Sequence, residues 1–295
     1  MLAFLTLMTV GTFCLGAENV LKKKLLQHGM HEQLLLGVSW FLAGVLLLPF
    51  LFWVGMPEIG GGFWYALAAT VALNLVGQNL FIRAFALSDI SLVSPIRLII
   101  PPVVMVTGYV LLNETLSLAG IAGVLTTVIG LTFVLGAGER GFTFRNILQH
   151  AGDRGVRLAF FASLIFAVAF PFDKIAVLNS SGLFASTVIA LILGASILIT
   201  APVWHPGFMQ AVRTKHTSVG FSLLIAVSAL LGLGTFLTNQ ALVYAPVAYA
   251  SSAKRFQVVW TNLLAGVFLK ERHARERLIG VFVMLLGIAV MVVFP

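Results

Sequence analysis

Runs of about twenty apolar residues, separated by short joins carrying charge, glycine or proline, recur along the whole chain. They fall near 2–21, 34–54, 63–87, 91–112 and 118–137, and again near 156–178, 183–204, 218–244, 246–269 and 277–294. A helix needs about 20 such residues to cross the roughly 30 Å hydrocarbon core of a bilayer, so the pattern predicts an all-α membrane protein of about ten transmembrane helices. The joins at 88–91 and 245–246 are brief. Polar residues concentrate at 138–155 and 205–217, and 138–155 is the expected linker between a first five-helix half, 1–137, and a second, 156–295.

The two halves read as copies. Shifting 74–135 by 157 positions lays it on 231–292 without a gap and pairs Gly77 with Gly234, Ala84 with Ala241, Ser94 with Ser251 and Arg97 with Lys254. Farther along, Glu114 meets Glu271, Gly123 meets Gly280 and Gly130 meets Gly287. Leu, Val and Ala coincide cheaply between apolar segments, but a shared cation within a span and a shared glutamate after it do not. Five helices is an odd number, so the second copy must enter the membrane from the opposite side, giving two inverted five-helix repeats with a solute site near the midplane between them. Within each half the glycine pairs recur every seven residues, two helical turns, and are expected to let neighbouring backbones approach.

Composition agrees. Apolar residues make up 60% of the 295, charged residues 9%, and the mean hydropathy is +1.05. The net charge of +8 and pI near 10.1 raise nucleic acid as a partner. The basic residues, however, lie in short runs between apolar segments, so the expected partner is the lipid bilayer and not nucleic acid. Those runs favour odd-numbered joins: Lys22–Lys24, Arg140 to Arg157, Arg213 with Lys215, and Lys270 to Arg277; Lys174 alone falls to the even-numbered ones. Ten spans and cytoplasmic basic loops place a multi-pass protein in the cell's inner (plasma) membrane with both termini outside. The single cysteine, Cys14, excludes an internal disulfide framework, and the six histidines lie in or beside loops without a recurring ligand spacing. No P-loop, dinucleotide fingerprint or nucleophile motif occurs, so an enzyme is not expected and no cofactor is called for.

An ionisable side chain at a helix centre costs at least about 2.5–3.5 kcal/mol on insertion scales, which makes each one a functional candidate. Here they are Glu18, Arg83, Arg97, Asp173, Lys174, Lys254 and Arg255. Arg97 and Lys254 are repeat mates, and an inverted fold brings repeat mates to related places around one cavity. Together with Arg255 they suit a carboxylate or phosphate, since guanidinium offers a planar donor fork and ammonium a point charge. For Lys254 and Arg255 the competing reading is snorkelling to a headgroup layer from the start of the ninth span. Glu18 and Asp173 stand in comparable places on the first and sixth spans, as proton-coupling groups or as counter-ions. Asn74 and Gln78, four apart and so on one face, with Asn239 on the repeat-related helix, add polar contacts to a cargo or between helices. Trp260, deep in the ninth span, is expected to line the cavity, whereas Arg83 is expected at the interface. Glu114 and Glu271 are expected to cap helices or pair with loop cations.

Arg83-Ala84-Phe85-Ala86-Leu87 leading to Ser94-Pro95, then Leu112-Asn113-Glu114 before Gly123 and Gly130, and the echo from Ala241 through Glu271 to Gly287, resemble the drug/metabolite transporter superfamily, specifically its EamA-like ten-helix proteins. The resemblance covers nearly the whole chain. It implies a secondary active transporter of a small organic solute, working by alternating access as a monomer or homodimer, and driven by proton coupling or by exchange. The Lys254-Arg255 pair resembles the one with which plastid sugar-phosphate translocators of the superfamily grip phosphate, and with the cations it points to an anionic or phosphorylated cargo. The alternatives are an exporter of amino acids or amphipathic drugs and metabolites, and a flippase of a phosphorylated lipid. Two features depart from the family: outward termini, where relatives are drawn with cytoplasmic ones, and no placeable counterpart to the aromatic lining of aromatic amino-acid exporters.

Overall fold

The computed structural model describes residues 1–27, 29–88, 93–136, 152–204, 208–209, 218–269 and 274–294, and the described residues are helical with short turns. The first half contributes α1 (Leu2–Gln27), α2 (Glu32–Val54), α3 (Phe63–Leu87), a 3₁₀ segment (Ser94–Ile99) running into α4 (Ile100–Leu112), and α5 (Leu118–Gly136). The second contributes α6 (Arg154–Leu178), α7 (Gly182–Trp204), α8 (Ser218–Ala241), α9 (Val247–Lys254), α10 (Phe256–Leu269) and α11 (Ala274–Val293). Among the described residues eight helical stretches, one of them the 3₁₀ segment together with α4, are long and apolar enough to cross a membrane, and α11 carries a shorter apolar stretch. Their outer faces present Phe52, Val106, Ile129, Val203 and Phe282 as exposed side chains, the arrangement suited to a hydrocarbon solvent. The polar linker expected at 138–155 lies almost entirely outside the described residues, as do Arg140, Arg145, Arg213, Lys215, Lys270, Glu271 and Arg272.

Two spans differ from the continuous helices expected of them. The fourth begins as a 3₁₀ turn because Pro95 sits at its start and Pro101 and Pro102 open α4, removing the amide donors a continuous α-helix would use. The ninth breaks between α9 and α10 at Arg255, whose N–H turns back to Ser252 O at 3.1 Å. No proline lies within that break. The 3₁₀ segment contains Arg97 and the break follows Lys254, so a departure from regular α-helix accompanies the repeat-related cation in each half. The first span is longer than expected because Lys22, Lys23 and Lys24 continue α1 for a further turn and a half.

Packing follows the inverted repeat. Helix α1 lies along α8 as its mate α6 lies along α3, and α2 packs on α7 and α5 on α11, each against its own repeat mate. The α5–α11 seam depends on glycine: a Cβ on Gly130 would stand 2.5 Å from the Met284 nitrogen, and one on Gly280 would stand 2.6 Å from the Gly130 carbonyl. Backbones approach this closely only where side chains are absent.

The two ends of the bundle differ. At one end, called here the lysine face, α1 finishes with Lys22–Lys24 and α2 begins. At the opposite face the halves are tied together: Gly60 N–H donates to Asn179 O at 2.8 Å, Gly62 N–H to Asn179 Oδ1 at 3.2 Å, and Ser117 Oγ to Phe294 O at 2.8 Å.

Overpacking at the glycine seam costs about 1–3 kcal/mol. Gly280→Leu is therefore expected to lower the apparent melting temperature of the protein in detergent, while Gly61→Ala, at a position with open space around it, leaves it unchanged. Equal melting of the two variants contradicts this account of the seam.

Candidate functional site

A cavity of about 360 Å³ lies between the halves, its wall made by α1, α2, α3, the 3₁₀ segment, α4 and α6 to α10. On one side it reaches Lys22, Leu26 and the exposed Glu32, beside the α1–α2 connection, so its mouth is on the lysine face. Toward the opposite face it ends at Asp173 and Asn239.

The broken helices place the cations. Arg97 projects from the 3₁₀ segment, and Lys254 and Arg255 from the α9–α10 break; all three line the cavity and are half-buried. Lys254 and Arg255 thus stand at a helix discontinuity that lines the cavity. The Arg97 guanidinium lies 3.8 Å from the centre of the Phe81 ring and 5.5 Å from that of Phe166, and the Lys254 ammonium lies 5.3 Å from that of Phe170. The negative face of an aromatic ring partly offsets a buried cation without taking its hydrogen-bond donors. Those donors are open: Nε of Arg97 and of Arg255 is buried without a hydrogen-bond partner. Among the described residues none of the three cations forms an ion pair, whereas Glu18 takes Lys22 at 2.5 Å and Glu114 takes Lys174 at 2.5 Å.

The polar candidates fall into two groups. Asp173, on α6, accepts a hydrogen bond from Thr70 Oγ1 and is within electrostatic range of Lys254. Asn74, on α3, donates to Thr70 O at 2.9 Å and to its Oγ1 at 3.0 Å, so Thr70 links the amide to the carboxylate. Asn239, on α8, donates to Ser186 Oγ at 3.0 Å, a bond between helices. Gln78 and Glu18 also line the cavity, Glu18 one helical turn before its partner Lys22.

Several sequence expectations need correction. Trp260 stands outside the cavity wall: its ring packs edge-on to Phe13 at 5.5 Å, and Gly16 leaves room for its Cβ. The aromatic lining that the sequence did not reveal is present, in Trp40, Phe81, Phe85, Phe166 and Phe170. Its signal was hidden because phenylalanine is common throughout the chain, 24 residues in all, on lipid-facing and cavity-facing surfaces alike. Lys174 belongs to no loop; it is buried in α6 and bonded to Glu114, which leaves the basic residues still more one-sided. Arg83 is exposed and stacks on Trp204 at 4.7 Å, as an interfacial residue does.

A family model described as the EamA-like transporter family matches residues 2–136 and 153–293, one match on each half. The chain belongs to the EamA-like transporter family. As an EamA-like transporter it is a multi-pass membrane protein that carries small solutes, and its family moves solutes and does not transform them. A solved structure described only as "Crystal structure of protein" superposes with a TM-score of 0.76 at 14% identity, covering 98% of this chain and 96% of the other. At that identity the likeness concerns the fold alone. No curated protein matches the sequence. For this EamA-like transporter, the family therefore gives transport and a two-fold architecture, and the choice of cargo has to be argued from the cavity.

Proposed function

We propose that the protein is a secondary carrier for a small organic anion, bearing a carboxylate or phosphate, which binds between the inverted halves against Arg97, Lys254 and Arg255. One observation carries this reading: three cations face a single cavity and, among the described residues, none forms an ion pair, although Glu18 on the same wall is paired with Lys22 and Asp173 lies near Lys254. Gathering unpaired like charges in a low-dielectric interior is costly, and an anionic cargo offsets that cost when it binds. Arg97 and Arg255 also repel each other across the cavity. Asn74, Gln78 and Asn239 supply donors and acceptors for the rest of the cargo. The aromatic wall from Trp40 to Phe170 favours an amphipathic body on the anion, and it is also what supports the second reading, an exporter of amino acids or amphipathic metabolites.

Asp173 is the carboxylate we assign to coupling. It lies at the closed end of the cavity beside Thr70 and near Lys254, where taking up a proton would change the field felt by the cargo. Glu18, held by Lys22, serves as a counter-ion at the mouth.

A ligand that binds only the folded state raises apparent stability by mass action. Thermal unfolding of the detergent-purified protein against sugar phosphates, organic acids, neutral amino acids and cationic drugs is expected to show stabilisation by phosphates or carboxylates, lost in Arg255→Gln. Stabilisation by amino acids or cations alone would move the cations to a counter-ion role and favour the second reading. In proteoliposomes, coupling through Asp173 predicts uptake that responds to an imposed proton gradient, with the response abolished in Asp173→Asn; a response retained in that variant rejects the assignment.

A further inference from the structure

On the face opposite the lysines the cavity ends at Asp173 and Asn239, and a polar cluster outside the cavity lies on that side. Glu114 follows the end of α4, where Asn113 takes a left-handed conformation (φ 53°) that turns the chain. From this first-half position Glu114 reaches two partners in the second half. Its Oε1 accepts from Lys174 Nζ at 2.5 Å, and its Oε2 accepts from the Val247 N–H at 2.7 Å, the first amide of α9. Lys174 Nζ also donates to the Ala245 carbonyl at 2.7 Å. One carboxylate therefore holds the C-terminal part of α6 and the start of the ninth span to the end of the fourth. The fit is close, since a Cβ on Gly108 would stand 2.6 Å from Val247 Cγ1. Lys174 is 8% exposed, so water does not weaken the pair as it does at a surface.

The placement is what gives the cluster a role. Lys174 is the neighbour of Asp173, which ends the cavity, and Val247 begins the helix that ends in Lys254, so the cluster joins the two cavity-bearing pieces immediately beyond the cavity floor. Opening the floor requires α6 and α9 to part from α4, and these three are what Glu114 ties. We infer that Glu114 and Lys174 form the latch that closes the opposite face while the cavity is open to the lysine face, and that releasing this pair is a required step of the transport cycle. The inference rests on the reading of the chain as an alternating-access carrier. It gives Glu114 and Lys174 a part in transport although neither touches the cavity. A charged pair suits such a part, because it favours one packed arrangement over another without altering the site where cargo binds.

The test needs no cargo. Replacing Cys14 by Ser removes the only thiol, and Gln78→Cys then places one in the cavity wall. Sealed vesicles of known orientation are treated with a membrane-impermeant thiol reagent from either side. The parent is expected to label from the lysine face. Glu114→Gln keeps an oxygen for the Val247 N–H but removes the charge that holds Lys174, and it is expected to raise the labelling rate from the opposite face roughly tenfold, the shift an interaction of ordinary charge-assisted strength produces. Lys174→Gln acts in the same direction, and Glu114→Asp, which keeps the charge, stays nearer the parent. Should Glu114→Gln not purify as a folded protein, Lys174→Gln carries the same reading. Labelling unchanged in side and rate in the neutral variants overturns the latch. A parent labelled equally from both faces overturns instead the alternating-access reading beneath it.

Discussion

A charge inside a bilayer has to be partnered, and the choice of partner divides this molecule into structure and site. Glu18 and Glu114 take lysines, Asp173 takes a threonine hydroxyl, and the exposed Arg83 stacks on a tryptophan at the end of α7. Arg97 and Lys254 are left with aromatic rings, and Arg255 with an open Nε. Rings reduce the cost of burying a cation without consuming its donors. The interrupted fourth and ninth spans and the aromatic wall bring those three charges to a shared cavity where, among the described residues, none of them forms an ion pair.

The inverted repeat explains why the charges converge. Arg97 and Lys254 occupy matched positions in the two halves, and each sits where the backbone departs from a regular α-helix. A discontinuous helix exposes backbone groups that lipid cannot satisfy, so it has to face protein or a polar cavity. The departure and the cation support each other: the interrupted backbone needs a polar space, and the cation needs the same space. On the face away from the lysines, hydrogen bonds donated by Gly60 and Ser117 and accepted by Glu114 hold the halves together, and on the lysine face the cavity reaches Glu32 and Lys22.

Much of this was legible in the chain before any coordinates. Hydrocarbon thickness sets span length, so the spans followed from apolar runs, and the repeat followed from residues too costly to coincide by chance, Arg97 opposite Lys254 above all. The break at Arg255 was not legible, because no proline or glycine marks it. The partnership of Glu114 with Lys174 joins residues 60 positions apart across the two halves, which periodicity within a helix cannot express. The aromatic wall was hidden for a related reason: in a lipid-embedded protein phenylalanine is as much at home on the outside as around a cavity, so composition does not separate the two. Trp260 illustrates the converse, a deep aromatic residue that fills the groove left by Gly16 and stays out of the cavity.

The central claim is that the three unpaired cations exist to hold an anionic cargo. Its most direct test is uptake by purified protein in liposomes of matched pairs of solutes that differ only in charge, a sugar phosphate against its parent sugar and a carboxylate against its amide. The account predicts that the charged member of a pair is moved and the neutral one is not, and that Arg97→Gln and Lys254→Gln each abolish the movement while the protein stays folded. Equal movement of charged and neutral members, or undiminished transport in both variants, would contradict it.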